Sequence, residues 1–448
     1  MEKDIVIIGA GLTGLTCAYY LNKRGKDFVV LEKNDRVGGV INTKEKDGFI
    51  YETGPNTGVL GSNESIDLFN DIKDSCKIEI ADANVNKRYI LKDDKWVSLP
   101  SGLISGISTK LFTFSDKLRL LGEPFRAKGN NQNESLSELV KRRMGKSFLD
   151  YAVDPFISGV YAGNPDLLIT KFALPKLYNL EQNYGSFIYG SIKKAKHDKN
   201  NNIKNPSRKI FSVNGGLNNL TESLYMLSGK ENFHTSVNDI KIKYINNKFV
   251  IEANNNTLSC NQLICTIPSC NLSNVLDFIE EKDLIPFNTL EYAPIISIAI
   301  GLKKWTGIDI NGFGGLVPFK EKKNFLGVLF ISSFLKNRAP EGSVLINVFI
   351  GGTRKKNLMK LSDDEIIEIL KEEVAPIMGL NNFSPDLLNI TRYEKSIPQY
   401  YVDSGCRFEK IKELEKKYKG LVIAGNLRDG IGMADRIKQG KNIADSIL

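Results

Sequence analysis

Residues 4–32 constrain the fold more than any other stretch of the chain. Asp4-Ile5-Val6-Ile7-Ile8 carries the β-branched run of a buried parallel strand. Gly9-Ala10-Gly11-Leu12-Thr13-Gly14 follows at once, and Leu15, Ala18, Tyr19 and Leu21 then recur on one broad helical face. Gly25 stops the helix, Phe28-Val29-Val30-Leu31 forms a second strand, and Glu32 stands at its end. Strand, glycine turn, helix, strand, acid is the order of a dinucleotide site. Gly9 permits the tight turn, Gly11 lets the backbone approach a pyrophosphate, and Gly14 lets the helix pack on the strand. Ala10, Leu12 and Thr13 complete a helix N-terminus that faces the phosphates with free N–H groups. Glu32 is placed to accept hydrogen bonds from the adenosine ribose, and a carboxylate there argues against the 2′-phosphate of NADP.

The next residues, Lys33-Asn34-Asp35-Arg36-Val37-Gly38-Gly39, extend the motif. The extension resembles the flavoprotein amine-oxidase superfamily, in which the arginine and paired glycines continue an FAD pyrophosphate site. The resemblance implies FAD as cofactor and adds Lys33, Arg36, Gly38 and Gly39 to its contacts. It also places Gly54-Pro55-Asn56 beside the flavin and Val237 in the cofactor site. At the other end, Gly420 to Asn426 reads as a strand ending in Gly425-Asn426, followed by a loop and a final helix from Ala434. In the superfamily this closure, with Ile431 and Met433, returns to the flavin, and a positive helix end there stabilises the anionic reduced ring. No second dinucleotide motif is seen, so electrons are expected from an organic substrate and not from NAD(P)H.

The 448 residues suit two or three subdomains. Net charge of +9 fits a solvated basic surface as well as an anionic lipid or substrate. No nucleic-acid module is found. The six cysteines (Cys17, Cys76, Cys260, Cys265, Cys270, Cys406) form no Cys-x-x-Cys pair, and with only His197 and His234 they offer no zinc site. They read as reduced cysteines of a cytosolic compartment. The N-terminus reads as strand rather than signal peptide, and the longest later apolar run, Pro294 to Leu302, is too short to span a bilayer.

Between residues 86 and 207 the character changes. Lys87 to Ile90 and Lys95 to Val97 read as short strands. Leu103 to Lys128 then mixes Ile107, Leu111, Phe114, Leu118, Leu121 and Phe125 with Lys110, Lys117, Arg119, Arg126 and Lys128. An apolar face with a basic rim suits an anionic membrane surface, and equally a helix packed on a core. Glu134 to Gly145 is a helix, Asp154 to Pro165 reads as a stretch that breaks helix repeatedly, and Ser191 to Lys209 as a solvated loop. Residues 276–414 are strand-rich, with Ile295 to Leu302, Phe325 to Ser332 and Val344 to Ile350 as the best strands.

Several pieces, in order, resemble the oxygen-dependent protoporphyrinogen oxidases: Gly54-Pro55-Asn56, Pro155 to Pro165, Gly312 to Pro318, Leu326 to Phe334 with Asn337-Arg338-Ala339-Pro340, and Phe349-Ile350-Gly351-Gly352. Leu427-Arg428-Asp429-Gly430 departs from the family, where many members carry an aromatic residue and an extra glycine. The resemblance implies an α/β organisation. A Rossmann-like FAD domain would be built from residues 1–85, 208–275 and 415–448, a mixed-sheet substrate domain from 276–414, and a helical, membrane-associated insertion from 86–207.

It further implies that a porphyrinogen, preferably protoporphyrinogen IX, is oxidised by six electrons, with O2 as acceptor and hydrogen peroxide as product. Arg88, helped by Lys87, would pair with a propionate. Leu316, Leu329 and Phe349 would wall the macrocycle. The turn Gly159 to Gly163, with Tyr161 and Ala162, would offer a backbone carbonyl to the pyrrole N–H groups. No acid or base is assigned, because positioning against the flavin matters more than proton transfer. The expected location is cytoplasmic, peripheral on the inner membrane face, with a homodimer and transfer of product to ferrochelatase as further options. Coproporphyrinogen III, an amine oxidase or desaturase substrate, and a flavin carrier without turnover are the competing readings.

Overall fold

The computed structural model describes residues 2–85, 87–100, 109–200, 208–254 and 256–447. Its first sheet starts from Glu2–Ile8, which pairs in parallel with Phe28–Leu31 on one side and Asn256–Cys265 on the other. Phe233–His234 extends one edge. On the other side, Asn256–Cys265 pairs antiparallel with Lys248–Ala253 and parallel with Leu421–Ile423. The β-branched run explains the burial on both faces. Ile5 and Ile7 join a core formed with the helices Leu12–Lys23, Asn218–Leu227 and Met433–Ser446, while Val6 and Ile8 point into a second core across the sheet.

A second sheet of seven strands has the order Leu387–Pro398, Tyr292–Leu302, Val344–Gly351, Phe325–Leu329, Gly314–Leu316, Arg88–Lys92, Lys95–Ser98. One face packs Ile296, Ile298, Ile300, Val328, Val348 and Ile350 into an apolar core under the helix Asp363–Ile369. The strand Phe49–Glu52 lies across the opposite face, where Phe49 and Tyr51 pack with Ala299 and Leu345. The fold is therefore α/β with mixed sheets.

Four expectations change. Arg88–Lys92 and Lys95–Ser98 are strands as read, yet they belong to the second sheet and not to an insertion: they form a hairpin that closes its edge, turning at Asp93 and Asp94, both at positive φ. The boundaries at 275/276 and 414/415 fall inside one core, because Leu276, Leu284, Phe287, Ile411 and Leu414 all pack on the first sheet. An amphipathic helix does not announce in sequence which sheet will cover it. Asp154–Val160 is a helix despite Pro155, which sits in its first turn where no N–H is needed. The expected loop from Ser191 is largely the helix Phe187–Asn200, with Phe187 and Gly190 buried. Residues 101–108 and 201–207 of these stretches lie outside the described residues.

Two buried ion networks tie the parts together. Arg143 is fully buried and donates to Glu123 at 2.5 Å and Glu181 at 2.7 Å, fixing the end of Phe114–Leu121 to the helices behind it. Arg338, within the Asn337-Arg338-Ala339-Pro340 segment, donates to Val213 O at 2.6 Å, Ser212 Oγ at 3.0 Å and Glu79 at 3.1 Å. Ile50 N donates to Arg338 O. That segment therefore latches the second sheet to the strands around the first. Nearby, burial pushes the Glu52 carboxyl pKa up, against hydrogen bonds from Leu217 N and Thr43 Oγ1 that favour its charge.

Candidate functional site

The glycine turns converge. Gly9 sits at φ +100°, and a Cβ there would meet Thr266 Oγ1 at 2.9 Å. Thr266 Oγ1 lies within hydrogen-bond distance of both Ile8 O and Gly9 O, and a Cβ on Gly425 would come within 2.9 Å of Thr266 O. Gly38 N donates to Ala10 O at 2.8 Å, and a Cβ on Gly39 would lie 3.4 Å from Gly11 Cα. A Cβ on Gly54 would stand 2.0 Å from Val40 O, and one on Gly58 would stand 3.2 Å from Met433 Sδ. Residues 9–14, 38–40, 54–58 and 425–433, distant in sequence, thus border one cleft.

Several features of this cleft fit a dinucleotide. The helix Leu12–Lys23 starts at Gly11 with no side-chain cap and no acid in its first turn. Its N-terminal N–H groups and positive dipole end suit a pyrophosphate. A Cβ on Gly11 would meet nothing within 4 Å, so open space lies where backbone must approach the ligand. Thr13 Oγ1 and Asn56 Nδ2 are buried with no hydrogen-bond partner among the described residues, groups that a bound cofactor can satisfy.

Other expected contacts are partly committed to the protein. Glu32 is buried and accepts from Ala10 N at 2.7 Å and from Asn34 N and Nδ2 at 2.9 and 2.8 Å, which leaves lone pairs for a ribose. Arg36 donates to Val37 O, Gly39 O and Ile41 O, bracing the glycine loop. Val237 N donates to Glu32 O, so its amide is in use. Lys33 is exposed.

The C-terminal loop is held by residues that sequence reasoning passed over. Gly425 N donates to Gln439 Oε1 at 2.8 Å. Arg436, buried on the last helix, donates to that same oxygen and to Arg428 O and Gly430 O. Tyr400 Oη donates toward Asn426 O and Gly430 O, and burial raises its pKa so that it stays a donor. Asn426 Oδ1 accepts from Tyr292. Ile431 packs beside the core containing Tyr161 and Tyr400. The i, i+3 spacing of Arg436 and Gln439 on the final helix was the available signal.

The open face of the second sheet forms a wall beside the cleft. Across it, Arg88 pairs with Gly314, Gly314 with Leu329, and Leu329 with Asn347. One step along, Leu316 pairs with Gly327, Gly327 with Phe349, Phe349 with Ser297, and Ser297 with Thr391. Ladder partners share a face, so Arg88, Leu316, Leu329 and Phe349 lie on one surface. Arg88 is exposed at its rim, 5.9 Å from the Phe313 ring centroid. The strand Phe49–Glu52, which leads into Gly54, crosses the same face: Tyr51 Oη reaches Asn389 Oδ1 at 3.5 Å, and Thr53 Oγ1 reaches Tyr393 Oη at 3.3 Å. Asn389, Thr391 and Tyr393 alternate along one strand, a period-two polar pattern legible in principle and not used.

The Gly159–Gly163 segment behaves differently from the expected carbonyl-bearing turn. Gly159 lies in a helix, and its would-be Cβ meets Leu316 Cδ2 at 2.3 Å, so this helix packs on the apolar wall. Tyr161 is a core residue whose Oη donates to Ala173 O and whose carbonyl accepts from Gln399. Ala162 O accepts from Thr353 N, and Gly163 leaves no room beside Gln399. The carbonyls of Tyr161 and Ala162 are therefore already engaged.

The model of the flavin containing amine oxidoreductase family matches residues 12–448. The chain belongs to this family. It is an FAD-dependent oxidoreductase. Over its full length it is 29% identical to protoporphyrinogen oxidase 2, chloroplastic/mitochondrial, of Arabidopsis thaliana, covering 94% of that protein. It is 26% identical to coproporphyrinogen III oxidase of Bacillus subtilis, covering 98% of it. Among solved structures, a protein of Exiguobacterium sp. 255-15 proposed to be a protoporphyrinogen oxidase superposes with a TM-score of 0.83 at 22% identity, over 99% of this chain and 98% of that one. Putrescine oxidase with bound putrescine superposes with a TM-score of 0.70 at 12% identity, over 100% and 99%. These two likenesses establish the shared fold.

The open space at Gly11 gives a clean test of cofactor placement. Gly11→Val should fold with a thermal midpoint near wild type yet purify without flavin, because the side chain fills the pyrophosphate's place while its Cβ meets no protein atom within 4 Å. A normal flavin absorption spectrum in this variant would contradict the placement.

Proposed function

We propose that the enzyme oxidises a porphyrinogen to the porphyrin, with protoporphyrinogen IX as substrate and O2 as the final acceptor. One observation carries the reading. A single sheet face bears an exposed arginine at its rim and Leu329, Leu316 and Phe349 as an apolar floor, and it meets the cofactor cleft at the Tyr393–Thr53 contact. A flat apolar macrocycle with carboxylates on one edge suits that surface. The full-length similarity to proteins named for porphyrinogen oxidation supports it.

Bound FAD supplies two-electron oxidation and delivers the electrons to O2. The substrate loses six hydrogens in all, and three O2 become three hydrogen peroxide. The chain's part is to bind and orient. Arg88 holds a propionate in a charge-assisted pair. Leu316, Leu329 and Phe349 fix the macrocycle plane, and Gly159 lets the helix Asp154–Val160 close on Leu316. Ring aromatisation drives the reaction, so orientation can serve in place of a strong base.

We also propose a peripheral position on the inner face of an anionic membrane. Among the described residues no helix is long and apolar enough to cross a membrane. The helix Phe114–Leu121 buries none of its residues. Phe114, Leu121 and Phe125 are 75%, 70% and 91% exposed, and Lys117, Arg119, Arg126 and Lys128 belong to the same stretch of chain. Such a surface suits insertion into the headgroup layer.

Two outcomes are expected. Aerobic assays should show porphyrin fluorescence rising from protoporphyrinogen IX with three peroxides per porphyrin, and Arg88→Ala should raise KM by an amount worth about 1.5–3 kcal/mol with flavin content unchanged. An unchanged KM would remove Arg88 from the site. In sedimentation with vesicles, the enzyme should bind phosphatidylglycerol-containing membranes and not neutral ones, and Leu121→Asp with Phe125→Asp should abolish binding without loss of turnover in detergent. Equal binding by the variant would place the contact elsewhere.

A further inference from the structure

Among the described residues four arginines are buried: Arg143, Arg338, Arg407 and Arg436. Taking a cation out of water is costly unless an opposite charge goes with it. Arg143 lies 2.5 Å from Glu123 and 2.7 Å from Glu181, Arg338 lies 3.1 Å from Glu79, and Arg407 lies 3.0 Å from Asp403. Arg436 is the exception. Its contacts are neutral: Nη1 donates to Gln439 Oε1 at 2.8 Å, and Nη2 donates to Arg428 O and Gly430 O, both at 2.9 Å. Its Nε is buried with no partner among the described residues.

The neighbouring acids are committed elsewhere. Asp435 Oδ2 accepts from Gly432 N at 3.0 Å. Asp429 Oδ2 accepts from Gln439 Nε2 at 2.8 Å and stands 3.3 Å from Arg428 Nε. Burial pushes the Arg436 pKa down, as expected of a cation short of opposite charge.

The unpaired cation sits at one particular end of the cofactor cleft. Arg436 follows Met433, the first residue of the last helix, by about 4.5 Å of helical rise. Met433 stands at Gly58, and the Arg436 guanidinium holds the carbonyl of Gly430 just before it. Gly54 to Gly58 follow Thr53, whose hydroxyl reaches Tyr393 on the open face of the second sheet. The other end of the cleft, at Gly11 and Gly39, has a cation of its own in Arg36, which also donates only to carbonyls. An FAD with its pyrophosphate at Gly11 therefore lays its redox ring toward Thr53 and Met433, where it can meet a substrate on the sheet.

We infer that Arg436 is the counter-charge of the reduced cofactor: it holds the loop 425–433 in place, and its positive charge raises the reduction potential of the bound flavin. It is a positioning residue, acting through the loop and through its field. The reason is charge balance. A hydride brings the ring two electrons and one proton and leaves it one unit more negative. A cation already buried beside it, where few water dipoles screen it, favours that form over the oxidised one. The inference rests on the FAD site and not on which substrate gives the hydride.

The test is the two-electron potential of the bound flavin, titrated against reference dyes. The Kd of sulfite is the second readout, because sulfite adds to the oxidised ring and leaves it negative without turnover. Arg436→Met and Arg436→Gln should lower the reduced-to-oxidised ratio at a fixed potential by about tenfold, equivalent to about 30 mV, and weaken sulfite by about the same factor. Arg436→Lys keeps the charge and should stay within about threefold of wild type. Gln439→Glu keeps the acceptor that Arg436 and Gly425 use and sets a carboxylate against the cation, so it should lower the potential as the neutral variants do. An unchanged potential in the neutral variants would overturn the inference. So would a lysine variant that falls as far as they do, since the hydrogen-bonding fork and not the charge would then act. Weaker FAD retention at unchanged potential would assign the charge to the pyrophosphate and overturn it as well. Should the neutral variants fail to fold or to hold flavin, Gln439→Glu decides: a lowered potential supports the inference and an unchanged one overturns it.

Discussion

A Cβ on Gly14 would stand 2.1 Å from the Gly9 carbonyl oxygen, and one on Gly440 would stand 2.5 Å from the Thr13 carbonyl. Backbone-to-backbone packing at these two points sets everything downstream. The first helix can start directly over the first strand only because Gly14 lacks a side chain. The last helix can lie against the first only because Gly440 does. Met433, at the start of that last helix, is thereby carried to Gly58, and Gly425 to Thr266, so that the two ends of the chain border one cleft. The uncapped start of Leu12–Lys23 then faces that cleft with N–H groups the protein does not satisfy.

The second sheet depends on this arrangement through a few polar contacts. Arg338 ties its outer loop to Val213 and Ser212, and Tyr51 and Thr53 reach Asn389 and Tyr393 on its open face. The arrangement divides labour by face. One face buries aliphatic residues under the helix Asp363–Ile369, and the other stays partly open, with Phe349 and Leu329 only half-buried. That open face is where an apolar molecule can lie beside the cofactor.

How much of this could be read in the chain depends on the range of the interaction. The strand–turn–helix at residues 4–32 was legible because each glycine acts on its immediate neighbours. The likeness of Gly54-Pro55-Asn56 and Gly425-Asn426 to the superfamily places both near the cofactor; in the structure Gly54 packs on Val40 and Gly425 on Thr266. Partners were less legible. Nothing in Lys87-Arg88-Tyr89 shows that it adds to the edge of the second sheet beside Gly314, because register across 226 residues leaves no local trace. The helix Asp154–Val160 was missed because Pro155 reads as a breaker unless its place in the first turn is known. The engaged carbonyls of Tyr161 and Ala162 depend on Gln399 and Thr353, far along the chain.

The account stands or falls on whether a porphyrinogen gives its electrons directly to the bound flavin. The most direct measurement is anaerobic stopped-flow absorbance after mixing the flavin-loaded enzyme with protoporphyrinogen IX. Rapid, saturable loss of the oxidised-flavin band, followed by porphyrin fluorescence when air is admitted, is the predicted result. A flavin band unchanged by protoporphyrinogen IX and by coproporphyrinogen III, yet bleached by a simple amine, would contradict the account and leave only the fold and cofactor in place.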